Sequence, residues 1–171
     1  WPTRRHEVGV IRHVDPTRHR GRFYRSYARF SASRAGLWFS RAVSWRLDPL
    51  LLRLTGGRVG TGGIITTAVL ETTGARSGKT RRNALIYFHD GDDEIVVASK
   101  AGAPEHPSWF HNLRADPRVR FGGEPRLAML VEDGAERARL FALADNVFPP
   151  FARYRERAGR EIPIVRLCRQ D

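Results

Sequence analysis

The segment Gly74-Ala75-Arg76-Ser77-Gly78-Lys79-Thr80-Arg81-Arg82 has the composition of an anion grip. Its glycines free the backbone to turn N–H groups outward, and Ser77 and Thr80 add hydroxyl donors. Arg76, Lys79, Arg81 and Arg82 surround them with positive charge, and arginine can hold a phosphate through two parallel hydrogen bonds. The glycine spacing of a Walker A loop is absent, and a strand follows instead of a helix. The same residues would also serve as a solvated basic hairpin tip.

A second chemically suggestive stretch runs Ala98-Ser99-Lys100-Ala101-Gly102-Ala103-Pro104-Glu105-His106-Pro107-Ser108-Trp109-Phe110-His111-Asn112-Leu113. Glycine and alanine let a flat ring approach the backbone. Trp109 could wall a pocket or anchor a helix, and Asn112 could bond to loop backbone or to a ligand. His106 and His111 are five apart with no spaced carboxylate, a poor metal set, so they read as structural or exposed. The lone cysteine, Cys168, excludes an intramolecular disulfide or a multi-cysteine zinc site.

These segments need elements to position them. Ile64–Thr72, Asn83–His89 and Glu94–Ser99 read as three short strands, with the basic turn joining the first two and Asp90-Gly91-Asp92 the next pair. Ser108–Ala115 reads as a short helix entered at Pro107 and ended near Asp116-Pro117. Val119–Phe121 and Leu127–Glu132 form a hairpin around Gly122-Gly123. Ala135–Ala158 is a long amphipathic stretch that Pro149-Pro150 must break. Ile162–Leu167 is a last strand. Antiparallel strands with helices between them predict a mainly β fold with α elements, a small barrel and not a parallel α/β sheet.

The 171 residues suit one domain, and the net charge is +12. That charge is lopsided: residues 1–60 hold 13 arginines against 3 acidic side chains. Residues 1–20 read as a flexible arm. Phe23, Tyr27 and Phe30 recur at helical spacing, as do Trp38, Arg41 and Trp45 on a second face. Asp48-Pro49 reads as the start of an apolar helix through Leu54, stopped by Gly56-Gly57. We therefore divide the chain into a basic helical extension, 1–47, and a barrel domain, 48–171. Such an extension could meet nucleic acid, an anionic lipid surface or an acidic ligand, or pack on the barrel or on a second subunit. Charge alone motivates nucleic acid, and a backbone binder needs no ring-sized loop. No apolar run is long enough to cross a membrane, so the expected location is the cytoplasm, with the arm at the inner face of the cell membrane.

Several motifs together resemble the deazaflavin-dependent nitroreductase family. The matching stretches are Leu70–Arg81 followed by Leu85-Ile86-Tyr87, Ala98–Ala103, Pro107–Leu113 and Arg160-Glu161-Ile162-Pro163-Ile164-Val165. The resemblance spans about Leu50 to Leu167. It implies a split β-barrel of the FMN-binding type, coenzyme F420 as cofactor with no metal, and reduction of quinones, nitroaromatics or other electron-poor organic substrates. It implies that Ala75, Arg76, Ser77, Lys79, Arg81 and Arg82, with Asn83, Ala84, Leu85 and Ile86 of the next strand, hold the cofactor's phosphate and tail. It implies that Val97, Ala98, Ser99, Lys100, Ser108, Trp109, Phe110, His111 and Asn112 line the deazaflavin. Ser99 and Tyr154 then stand as candidate catalytic groups.

The family's Tyr-Pro-x-Tyr-x-x-Tyr pattern over the substrate pocket corresponds here to Phe148-Pro149-Pro150-Phe151-Ala152-Arg153-Tyr154. Phe148, Phe151 and Tyr154 are thus the expected substrate-pocket residues, with two hydroxyls missing. That departure bears on nitro compounds in particular. The remaining readings are a deazaflavin carrier or sensor that reduces nothing, and an FMN- or haem-related barrel protein. A homodimer is also expected.

Overall fold

The computed structural model describes residues 11–31, 33 and 65–170. The second basic face around Trp38, the helix expected over 48–54 and the boundary at residue 47 lie outside them.

Among the described residues, alternating and β-branched stretches build six antiparallel strands. They are β1 (Thr67–Thr73), β2 (Thr80–Asp90), β3 (Asp93–Val97), β4 (Arg118–Phe121), β5 (Glu124–Leu130) and β6 (Ile164–Arg169). The strand order β1-β2-β3-β6-β5-β4 closes into a barrel, with Leu70 opposite Phe121 completing the seam. Closure removes the exposed strand edges that an open sheet would leave. Two tight turns set the register. Gly91, with φ +63°, opens the loop between Asp90 and Asp93. Gly122 and Gly123 both take positive φ between Phe121 and Glu124, the geometry that a two-residue hairpin loop favours. The β4–β5 hairpin is therefore tighter than the sequence suggested, and its second strand starts at Glu124 and ends at Leu130.

Period two puts Leu70, Tyr87, Val96, Phe121, Val165 and Leu167 on one buried face, the barrel interior. The same face carries one ion pair. Arg126 on β5 meets Glu94 on β3 at 2.7 and 2.8 Å, with side chains 7% and 2% exposed. A buried carboxylate and guanidinium tolerate this only because each satisfies the other through two hydrogen bonds.

Four α-helices flank the barrel among the described residues: α1 (Arg22–Ser31), α2 (Ser108–Ala115), α3 (Gly134–Val147) and α4 (Pro150–Ala158). The Pro149-Pro150 break falls where the sequence requires it, and Pro150 is the first residue of α4. Asp133 caps α3 by accepting from the Glu136 N–H at 2.7 Å. Gly159, in the left-handed region, ends α4.

The arm departs from its expected freedom over residues 11–16. Val14 is buried, its carbonyl accepts from the His89 N–H at 2.9 Å, and its N–H donates to His89 Nδ1 at 3.1 Å. The Tyr87 hydroxyl donates to the Arg12 carbonyl at 2.7 Å. Tyr24 of α1 donates to the Val147 carbonyl at 2.7 Å. These contacts tie the start of the described chain to β2 and α3, because isoleucine and valine in this arm supply apolar area that arginine content obscures.

Candidate active site

The basic turn is a hairpin tip between β1 and β2. The Gly74 N–H donates to the Lys79 carbonyl at 2.9 Å, while the Ser77 and Gly78 N–H groups return to the Gly74 carbonyl at 3.1 and 2.8 Å. Gly78 sits at φ +64°. A Cβ on Gly74 would lie 2.8 Å from Ser77 Oγ and 3.1 Å from the Lys79 carbonyl, so the tight tip needs glycine there. Arg82 is neutralised by Glu71 at 2.7 Å. Arg76, Lys79 and Arg81 are exposed and form no ion pair with a described residue. Three cations without an ion-pair partner among the described residues, on a hydrogen-bonded tip, create a local positive field that suits a polyanion. Asn83 and Leu85–Ile86 continue β2 as half-buried positions, and Ala84 lies exposed between them.

A single side chain fastens this tip to α2. The Asn112 carbonyl oxygen accepts from the Ala75 N–H at 3.0 Å, and its amide nitrogen donates to Thr72 Oγ1 at 3.0 Å. Asn112 and Thr72 are both buried. Asn112 thus takes the loop-backbone option of the two that its sequence position left open, and Ala75 contributes its N–H to that staple. The rest of α2 divides cleanly: Trp109 and Phe110 are buried, whereas Ser108 and His111 are exposed.

The stretch between β3 and α2 is the most unusual backbone described. Lys100, Ala101 and Gly102 take φ of 45°, 53° and 75° in succession. Left-handed backbone is costly for residues with a Cβ, and such strain gathers where a site over-determines it. Val97, Ala98 and Ser99 just before it are buried, and the Ser99 hydroxyl makes no hydrogen bond to a described residue. Lys100 reaches Glu105 at 3.2 Å on the surface.

Gly102 has a different job from the one its sequence context suggested. A Cβ there would meet the Tyr154 Cα and carbonyl oxygen at 3.1 Å. The glycine admits the backbone of α4, and so brings the strained loop against the helix that carries Tyr154. Phe148, the C-cap of α3, clusters with Phe151 and Tyr154 of α4, with ring centroids 5.1 to 6.2 Å apart. Phe148 and Phe151 are each 5% exposed, so most of their surface is spoken for by packing. Tyr154 is half-buried, and burial pushes its phenol above the ordinary value. It remains a proton-bearing donor around neutrality.

Arg160 is the residue to which sequence reasoning assigned no role. Its guanidinium meets the backbone carbonyls of Ala98, Ala103 and Glu105. The signal was present, since Arg160 opens one of the matching motifs, but one arginine among 28 carries no mark of its own. Among the described residues no group of three His, Cys, Asp or Glu side chains is arranged to hold a metal.

The profile of the F420H(2)-dependent quinone reductase family matches residues 44–169. An F420H(2)-dependent quinone reductase of Mycobacterium tuberculosis is 35% identical over 144 residues, covering 78% of this chain and 97% of that one. A solved F420-H2 dependent reductase is 36% identical, with a TM-score of 0.53 over 59% of this chain and 92% of that one. A second solved chain, described as a domain-swapped dimer, is 31% identical, with a TM-score of 0.55 over 74% of this chain and 98% of that one. The family profile covers the barrel, the basic hairpin, the strained loop and the aromatic helix alike, and the chain belongs to the F420H(2)-dependent quinone reductase family.

Proposed function

We propose that this protein is an oxidoreductase that passes a hydride from reduced coenzyme F420 to a quinone or a related electron-poor ring. The observation that carries the reading is a continuous frame. Asn112 joins the cationic hairpin to α2, the loop before α2 is held in a strained shape, and that loop abuts Tyr154. Such a frame suits a ligand with an anionic tail and a flat ring. Its donor set fits the coenzyme: unpaired cations for the tail, backbone and small side chains for the ring.

Arg76, Lys79 and Arg81 would grip the acidic tail, with Ser77 donating a hydroxyl hydrogen bond and Arg82 and β2 flanking it. Val97–Lys100 and the exposed side of α2 would line the ring. When bound, the coenzyme supplies the hydride. The chain itself contributes position, a dry environment and hydrogen-bond donors. The Tyr154 hydroxyl, whose pKa burial raises further above neutrality, would donate to an acceptor oxygen, and Ser99 would be a second hydroxyl donor. Phe148 and Phe151 bring no hydroxyl to this end of α4, which would favour quinones over nitro compounds.

The test is oxidation of reduced F420 in the presence of menadione, followed by the recovery of deazaflavin fluorescence. Multiple turnovers are expected, with no reaction from NADPH alone. Binding without turnover would indicate a carrier or sensor, and activity with NADPH and no deazaflavin would reject the cofactor.

A second proposal concerns location. On α1, Tyr24 and Ala28 face the protein, while Phe23 and Phe30 are 76% and 53% exposed beside the exposed Arg22, Arg25 and Arg29. Aromatic rings flanked by arginines suit the headgroup layer of an anionic membrane, which would bring the site near lipid-soluble quinones at the cytoplasmic face. No described helix is long and apolar enough to cross a membrane. Salt-sensitive binding to anionic liposomes should be lost in Phe23→Ser/Phe30→Ser, with coenzyme affinity retained. Absence of liposome binding by the full chain at low salt would reject the idea. A homodimer is proposed as well, supported by the exposed apolar side chains Val69, Leu127, Met129 and Leu130 on the barrel. Light scattering on the purified chain reads this directly.

A further inference from the structure

The left-handed run Lys100–Gly102 is strained and lies against the Tyr154 backbone at Gly102. The carbonyls that flank the run are met by Arg160, just beyond the end of α4. Its Nη2 donates to the Ala98 carbonyl at 3.3 Å and to the Glu105 carbonyl at 3.0 Å. Its Nε donates to the Ala103 carbonyl at 3.2 Å, and its Nη1 to the Glu161 carbonyl at 3.0 Å. Nη1 also lies 2.9 Å from His106 Nδ1. Arginine only donates, so this contact requires a lone pair on Nδ1 and a neutral His106 with its proton on Nε2.

The three loop carbonyls bracket the strained run on both sides. No carboxylate among the described residues forms a salt bridge with Arg160. Its fork is committed to the backbone of one loop, which is the work of a clamp and not of a surface ion pair.

We infer that Arg160 is a positioning residue for the ring of the deazaflavin: through the carbonyls of Ala98, Ala103 and Glu105 it holds the Lys100–Gly102 backbone in the shape that receives the ring. The inference rests on the cofactor reading above. Arg160 acts through the loop and does not touch the coenzyme. It therefore separates from the hairpin cations, which act on the anionic tail. A lysine cannot replace it, because one compact ammonium lacks the planar fork that reaches carbonyls in three directions.

The experiment compares the wild type with Arg160→Gln, Arg160→Lys and Arg76→Ala. Amide hydrogen exchange is read in the free protein. Fluorescence quenching then gives the affinity for intact coenzyme F420 and for its phosphate-free deazaflavin–ribityl fragment. Both Arg160 variants should speed exchange at residues 98–106 by about tenfold while the barrel strands keep their protection. They should weaken the intact coenzyme and the fragment by the same factor, about tenfold. Arg76→Ala should weaken the intact coenzyme alone.

Loss of affinity for the intact coenzyme only would move Arg160 to the tail and overturn the inference. So would unchanged exchange in the loop, exchange rising throughout the barrel, or full fragment affinity in Arg160→Lys. If the wild type binds neither compound, the cofactor reading falls and the inference with it. If the wild type binds the fragment and the Arg160 variants bind it equally well, the inference alone falls.

Discussion

At the scale of single residues, side chains of one chemical type divide into different tasks. Arg76, Lys79 and Arg81 are exposed and form no ion pair among the described residues, whereas Arg82 rests on Glu71, Arg126 is locked to Glu94 inside the barrel, and Arg160 binds carbonyls. Free cations on a rigid tip are the ones available to an anion. Arg76→Ala and Lys79→Ala should each weaken coenzyme binding roughly ten- to a hundredfold, the range for hydrogen bonds to charged groups. The affinity of the wild type should fall with added salt, and the double variant should show a shallower salt dependence. Calorimetric titration at two ionic strengths checks both. Unchanged affinity in the double variant would sink the tail assignment. Tyr154→Phe should lower turnover about tenfold or more, the lower end of general-acid contributions being larger than a lone neutral hydrogen bond. Its coenzyme affinity should not move.

At the scale of elements, the close approach of the strained loop to α4 hangs on one absent side chain. Gly102→Ala would place a methyl 3.1 Å from the Tyr154 backbone and force an alanine to φ +75°. Both effects push the same way, and a destabilisation of about 2–4 kcal/mol is expected from overpacking plus backbone strain. Thermal unfolding measures the loss. The decisive companion measurement is the KM for the quinone, which should rise because α4 must retreat from the loop. Gly78→Ala is the control: its φ is also positive, at +64°, but no atom lies within 4 Å of the new methyl. It should cost only about 1–2 kcal/mol and leave the quinone KM alone.

At the scale of the whole molecule, two histidines tie separate parts of the chain together in their neutral form. His89 Nδ1 accepts from Val14, joining the arm to the barrel, and His106 Nδ1 faces Arg160, joining the loop to the segment after α4. Burial chiefly holds both rings below the ordinary histidine value of 6.5, with His13 beside the first and Arg160 beside the second adding to the effect. Glu94, 4.0 Å from His89, pulls the other way, and Arg126 and Arg169 oppose it. A depressed histidine binds its proton more readily when unfolded. Stability should therefore hold above about pH 7 and decline as pH falls through 6.5 toward the folded values, below which these groups add no further loss. Melting temperatures from about pH 7.5 to 5.5 should show that slope, and His89→Gln/His106→Gln should flatten it. An unchanged slope in the double variant would place the acid sensitivity elsewhere.

What the sequence determined by itself is local in origin. Strand alternation, Gly91 and Gly122-Gly123, the Ser108–Ala115 helix and the Pro149-Pro150 break all follow from period, φ preference and missing N–H groups, which act within a few residues. The hairpin cations were legible for the same reason, being consecutive in the chain. Tertiary structure alone decided the rest. Only the pairing of β3 and β5 on either side of β6 sets Glu94 against Arg126, 32 residues apart, and only the docking of α2 turns Asn112 toward Thr72 and Ala75. Gly102 looked like room for a ring and proved to be room for the Tyr154 backbone. Arg160 looked like one arginine of many until 54 to 62 residues of intervening chain folded back on it. Pattern shows which backbone a residue prefers, but the partner of a buried polar group is fixed by packing between elements distant in sequence, and no local preference encodes it.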